Sequence, residues 1–197
     1  MEEFEATPGE SDRIEQMAAH IKALIELMGD DPTREGLVKT PVRAAKALLY
    51  ATRGYRQSGE EVMRQAIFEY AGSQMVVVKD IEFYSMCEHH ILPFFGRISI
   101  GYLPDRKMIG LSKLARLVDV YARRLQVQER LTAQVCADVM KSLHARGAIV
   151  LCNGEHLCMK MRGVEKQHSS TTTVHYAGAF DTDPHLRDEF YRSLTAM

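Results

Sequence analysis

The spacing of the apolar residues changes near residue 73, and this change restricts the possible folds more than any other feature. From Ser11 onward, Ile14, Met17, Ala18, Ile21, Leu24, Ile25 and Met28 recur at helical intervals and predict an amphipathic helix that Gly29 ends. Thr40-Pro41 predicts a second helix, with a capping hydroxyl before a proline at the first helical position, running to Gly54. Ser58 and Glu61 read as a capping box for a third helix to about Tyr70. Residues 11–72 are therefore expected to form an N-terminal helical region, preceded by a disordered acidic tail over 1–10. Residues 73–197 are expected to form a second, β-rich domain.

After residue 73 the pattern becomes β-branched and alternating. Strands are predicted over 75–85, 96–102, 148–152, 156–162 and 169–176, the two around Asn153-Gly154 being pieces of one irregular strand. Helices are predicted over 112–124, 128–146 and 185–194. Two helices between the second and third strands imply an α+β domain with a four-stranded antiparallel sheet.

Composition excludes whole classes of function. A net charge of −1, from 25 Lys+Arg against 26 Asp+Glu, removes any bulk attraction to nucleic acid or to membranes. No apolar run approaches the ~20 residues of a membrane span. The acidic start Met1-Glu2-Glu3-Phe4-Glu5 lacks the pattern of a secretory signal. The four cysteines are not spaced as a disulfide framework, so they are expected as free thiols or metal ligands in a reducing cytoplasm. Charge is nevertheless uneven. Residues 106–146 hold nine Lys/Arg and three Asp/Glu, which describes either a solvated helix face or a local basic site.

Three clusters carry chemistry. Cys87-Glu88-His89-His90 follows a strand, and a tight turn there would let a thiolate and an imidazole share one zinc ion. Taken alone, the pattern also fits a core cysteine beside surface histidines. His156-Leu157-Cys158 supplies the missing partner: on a strand-like segment, alternate residues share a face. Cys87, His90 and Cys158 would then give three ligands with a fourth position open, as in catalytic zinc sites; a closed structural site would use His156 as the fourth. In the open arrangement zinc would lower the pKa of its water to about 7, beside imidazoles suited to proton transfer.

The second cluster is an anion-binding set: Ser112, Lys113 and Arg116 at a helix start, with Lys160 and Arg162 after Cys158. A helix N-terminus with Lys and Arg beside it suits a polyphosphate, and the absence of a Walker glycine loop excludes a P-loop site. The third is Gln128-Glu129-Arg130, where a carboxylate could accept two N–H bonds from a guanine edge, although a surface Glu is the commoner reading.

Together these segments resemble the GTP cyclohydrolase I family, from about residue 12 to the C-terminus. The matching strings are Asp31-Pro32-Thr33-Arg34-Glu35-Gly36-Leu37, Thr40-Pro41-Val42-Arg43, Cys87-Glu88-His89-His90, and Gly110-Leu111-Ser112-Lys113-Leu114-Ala115-Arg116. They continue through Arg123-Arg124-Leu125-Gln126-Val127-Gln128-Glu129-Arg130-Leu131-Thr132 and His156-Leu157-Cys158-Met159-Lys160-Met161-Arg162-Gly163-Val164.

The resemblance implies conversion of GTP and water to 7,8-dihydroneopterin triphosphate and formate, the entry to folate or tetrahydrobiopterin. By position, Cys87, His90 and Cys158 match zinc ligands, one zinc per subunit. His89 and His156 match catalytic histidines at the guanine imidazole ring, and Ser112 a hydroxyl near the ribose. Glu129 matches the guanine anchor, with Gln128 beside it. Lys113, Arg116 and Arg162 match triphosphate contacts, and Arg43 joins them. The family's tunnelling fold implies a homo-oligomer in which strands close into a barrel. Pentameric rings stack as a decamer, with active sites between subunits.

Two alternatives lack their features here. A nitrile reductase of the same fold would need a cysteine-nucleophile motif and nicotinamide contacts. A non-catalytic nucleotide-binding subunit would lack at least one of His89, His156 and Glu129. Cys152-Asn153-Gly154-Glu155, His168 and Val174-His175-Tyr176 depart from the family pattern and have no assigned role. Cys136, Cys152, Met159 and Met161 read as core.

Overall fold

The computed structural model describes residues 8–195, so the tail expected over 1–10 lies mostly outside the described residues. Residues 8–10 already belong to the first helix. The chain forms two compact units that divide between Arg53 and Gly54. Residues 54–72, which the sequence pattern groups with the preceding helices, belong to the second unit.

The first unit consists of α1 (Pro8–Leu27) and α2 (Thr40–Ala51), packed through Ile14, Ala18, Ala45 and Leu49. The turn between them is closed by Asp31, whose carboxylate accepts from the Thr33 N–H at 2.8 Å. Pro41 sits in the first turn of α2, but the Thr40 hydroxyl donates back to the Gly36 carbonyl and does not cap.

The second unit begins within a 3₁₀ turn (Arg53–Arg56) and continues to α3 (Gly59–Arg64), whose cap is Ser58: its hydroxyl accepts from the Glu61 N–H at 3.4 Å. The helix stops at Arg64, and residues 67–69, expected as helix, form β1 (Ile67–Glu69). Its antiparallel partner is β4 (Lys107–Ile109), pairing Ile67 with Ile109. That partner lies some forty residues away, so no local periodicity announces it.

The main sheet has the order β5-β2-β3-β6-β7. Four of its strands are the expected antiparallel set: β2 (Val76–Cys87), β3 (Pro93–Leu103), β6 (Gly147–His156) and β7 (Thr171–Gly178). The fifth, β5 (Leu125–Gln126), is two residues long and runs parallel to Met86–Cys87. Between β4 and β6 lie α4 (Leu111–Ala122) and α5 (Gln128–Leu143), which cover one sheet face. Phe83, Phe94, Ile98, Ile100 and Val150 from the strands pack there against Leu114, Leu117, Leu131, Val135 and Val139 from the helices.

After β6 comes a short helix, α6 (Leu157–Lys160), where a strand over 156–162 is expected. β3 stops pairing at Phe94↔His156, so the chain beyond His156 has no ladder to join and coils. The chain closes with α7 (Ala179–Thr182) and α8 (Pro184–Thr195). Their Phe180 and Phe190 pack on Leu103 and Ile149, covering one end of the other sheet face.

Candidate active site

The chemistry-bearing residues fall at the two ends of the sheet. At the first end β2 finishes, β3 starts, β6 finishes and α5 begins. Cys87 is the last residue of β2, and its carbonyl accepts from the N–H groups of His90 (3.4 Å) and Ile91 (2.8 Å), while its N–H donates to the Leu92 carbonyl at 2.8 Å. This turn places His90 against Cys87, with Nδ1 3.9 Å from Sγ; His89 Nδ1 lies 3.7 Å from the same sulfur. Cys158 arrives from α6. The donor atoms of Cys87, His90 and Cys158 all lie within 4.8 Å of one another.

Two thiols and one imidazole are a donor set that suits zinc, whose tetrahedral ligand atoms stand roughly 3.7 Å apart for bonds of ~2.3 Å. The cluster therefore needs only slight contraction to hold such an ion. Burial raises the Cys158 thiol pKa, and the neighbouring Cys87 sulfur adds to it. A divalent cation would reverse that balance by stabilising both thiolates. Cys136 and Cys152 are instead buried in the core, where desolvation pushes both thiols up to about 12. All four cysteines are free thiols. Met159 and Met161, read from sequence as core, are exposed.

His156 is close by but is held differently. It ends β6, one residue before α6, so the shared strand face expected for His156 and Cys158 does not exist. Its ring stacks on Phe94, with centroids 4.6 Å apart and planes 5° from parallel, and its Nε2 is 2.9 Å from Gln128 Oε1. Burial lowers its pKa, with the Glu129 carboxylate pulling the other way. Glu129 is exposed in the first turn of α5.

The Gln128 side chain, expected beside the substrate, is 1% exposed and fully engaged inside the protein. Two motifs are tied together here. Arg130 donates to both oxygens of Glu88, at 2.6 and 2.9 Å, linking the Cys87–His90 turn to the start of α5. Sequence reasoning missed this pair, as well as Phe94, Thr132 and Thr173, because nothing in their spacing relates them.

The second end carries Ser112, Lys113 and Arg116 at the start of α4. Ser112 and Arg116 are exposed, and the Lys113 ammonium donates to Gln65 Oε1 at 2.7 Å. This start follows β4, near the beginning of β2. The helix ends where Ser85 Oγ meets the Arg124 carbonyl, near the end of β2. Twelve residues of helix span roughly 18 Å. Within one chain, then, Ser112 and Lys113 stand most of a helix length from the end of α4 that meets β2, and Arg116, one turn further on, about half of one. Arg162 belongs to the first end, its Nη1 3.2 Å from His90 Nε2. Arg43 is exposed on α2, in the other unit.

A cavity of about 520 Å³ lies on the sheet face away from α4 and α5, lined by Glu82, Tyr84, Arg97, Asn153 and Glu155. It contains none of the proposed metal or phosphate groups. No described helix is long and apolar enough to cross a membrane.

Residues 17–195 match the family model for GTP cyclohydrolase I. A protein of Porphyromonas gingivalis named GTP cyclohydrolase 1 is 53% identical over 175 residues, covering 89% of this chain and 90% of its own. One from Deinococcus radiodurans with the same name is 55% identical over 167 residues, 85% of this chain and 77% of its own. The Drosophila melanogaster protein of that name is 53% identical over 88% of this chain, which spans 54% of that longer relative.

Proposed function

The chain belongs to the GTP cyclohydrolase I family, and from that membership we propose which residues carry each part of the reaction. The reaction itself is hydrolytic. The imidazole ring of the guanine of GTP opens, C8 leaves as formate, and the ribose rearranges and closes onto the pyrimidine as 7,8-dihydroneopterin triphosphate.

One observation carries the assignment: Cys87, His90 and Cys158 converge from two distant segments, with donor atoms within 4.8 Å of one another, and His156 lies two residues before Cys158. A zinc ion held by these three side chains would supply Lewis acidity and a water that ionises near neutral pH. His89 and His156 handle the protons. C8 of guanine is a poor electrophile until N7 is protonated, so one imidazolium gives a proton to N7 while water adds to C8. The C8–N9 bond then breaks with the proton delivered to N9. A second water cleaves the remaining formyl group from N7, and C8 departs as formate. Ring closure returns one water, so one is consumed overall.

The remaining side chains bind and orient. Glu129, exposed at the start of α5, accepts from the N–H edge of guanine. Arg162 contacts the triphosphate. Lys113 and Arg116 do the same, and Ser112 donates to the ribose, but from a neighbouring subunit. The position of Ser112 and Lys113 near the far end of α4 supports this division. Binding energy from the phosphates, remote from C8, then serves orientation.

The sheet edges suit such an assembly. Among the described residues, β7 pairs only with β6, and β2 pairs beyond β3 only at Met86–Cys87. Edges this open invite strand pairing between copies. Closure of pentameric rings into a barrel, two rings stacking as a decamer, would satisfy them. The four free thiols suit a reducing cytoplasm.

The test is formate release from GTP by the assembled protein, with and without a zinc chelator, alongside fluorescence of the oxidised pterin. Formate and pterin should appear together and vanish together with chelator. Zinc-loaded, assembled protein that yields neither would overturn the reading.

A further inference from the structure

The hydrogen bonds around Gln128 fix the orientation of its side-chain amide. Its Nε2 lies 3.0 Å from the Cys152 carbonyl oxygen, 2.8 Å from that of Thr171 and 3.2 Å from Thr173 Oγ1. Carbonyl oxygens only accept, so they must face the amide nitrogen; a flipped amide would set oxygen against oxygen. The hydroxyls agree with this. Thr132 Oγ1 donates to the Gln128 carbonyl at 2.7 Å, which leaves Thr173 as the donor in their 2.7 Å contact. Thr173 Oγ1 therefore keeps its lone pairs for the Gln128 amide.

With the nitrogen so committed, Gln128 Oε1 faces His156 Nε2 at 2.9 Å and can only accept. The hydrogen of the neutral imidazole must then sit on Nε2, and Nδ1 presents the lone pair. Phe94, stacked flat on the ring, fixes its plane. Gly154 leaves the room: a Cβ there would stand 2.5 Å from Oε1. The segment Cys152-Asn153-Gly154-Glu155, without a role from its sequence, thus contributes a carbonyl acceptor and the space that admits the amide.

We infer that Gln128 is a positioning residue for the reaction: through Oε1 it holds His156 as the Nε2–H tautomer and so selects Nδ1 as the nitrogen facing the chemistry. This rests on the reading of His156 as the proton carrier.

The test uses the full-length, assembled, zinc-loaded protein. Gln128→Met keeps the side-chain length and removes both polar atoms. It should lower kcat about 10- to 100-fold, leave KM within about two-fold, and leave zinc content unchanged, as expected for a misplaced catalytic ring. Unchanged kcat with a raised KM would instead make Gln128 a direct substrate contact and overturn the inference. Independently of whether that variant folds, solid-state NMR of ¹⁵N-histidine-labelled wild-type protein should show the Nε2–H tautomer for the signal that His156→Ala removes. An Nδ1–H tautomer there would overturn it equally. Full activity in His156→Ala would defeat the underlying reading of His156. An inactive His156→Ala beside a fully active Gln128→Met would defeat only the role given to Gln128.

Discussion

The two ends of the five-stranded sheet differ in how much of their chemistry is finished within one chain. At the end where β2 finishes, side chains are locked into place: Cys87 by its turn, His156 by Phe94 and Gln128, Glu88 by Arg130. At the other end Ser112 and Arg116 stand exposed on the first turns of α4. Groups that must hold a metal or a reacting proton within fractions of an ångström need such support, whereas cations that steer a flexible triphosphate can wait for it. The contrast is what a site shared between subunits would show, since each chain then offers a rigid chemical half and a separate binding half.

The largest effect should come from breaking the rigid half. Cys158→Ala is expected to lose both bound zinc and turnover, the latter at least about 1,000-fold, measured by metal analysis and formate release. His156→Ala sharpens the same point: it should lose turnover by roughly 100-fold or more while zinc content stays near wild type. If zinc were lost with it, His156 would be a ligand and not a proton carrier.

Complementation then tests the division between the two ends. Cys158→Ala and the double variant Lys113→Ala/Arg116→Ala, each inactive alone, should regain about a quarter of wild-type activity when unfolded and reassembled as a one-to-one mixture, because random neighbours pair two intact halves that often. No recovery from well-assembled mixtures would place both halves in one chain.

The smallest effect concerns the link between motifs. The Arg130 guanidinium holds the Glu88 carboxyl below the usual carboxylate range, chiefly through its hydrogen bonds. Because the folded value is the lower one, the stabilisation is present above the unfolded carboxylate value and disappears as pH falls through the folded one. Arg130→Met should accordingly lower the melting temperature slightly at pH 7, and the difference from wild type should shrink in acid. A difference that grew in acid would contradict it.

Much of this was legible beforehand. The switch in apolar period separated the helices α1 and α2 from the β-rich part, and the four antiparallel strands followed from β-branched runs and alternation, although the piece expected over 156–162 is not strand. β1, β5 and α6 were not legible. β1 and β5 exist because a distant segment offers unpaired backbone groups, and α6 exists because no segment does. The same applies to Gln128. Its place beside Glu129 suggested a substrate contact, yet its neighbours in space, Cys152, Thr171, Thr173 and His156, come from 24 to 45 residues further along the chain.

Donor types, the period of each long element and the family resemblance are written along the chain, because side-chain chemistry and periodicity are local properties. It took the folded chain to bring Cys158 to Cys87 from a helix, to engage Gln128 with His156, and to set Ser112 and Lys113 at the far end of α4 from Ser85. Those outcomes depend on which segments satisfy one another's hydrogen bonds across the fold, and that competition is settled only when all the partners are in place.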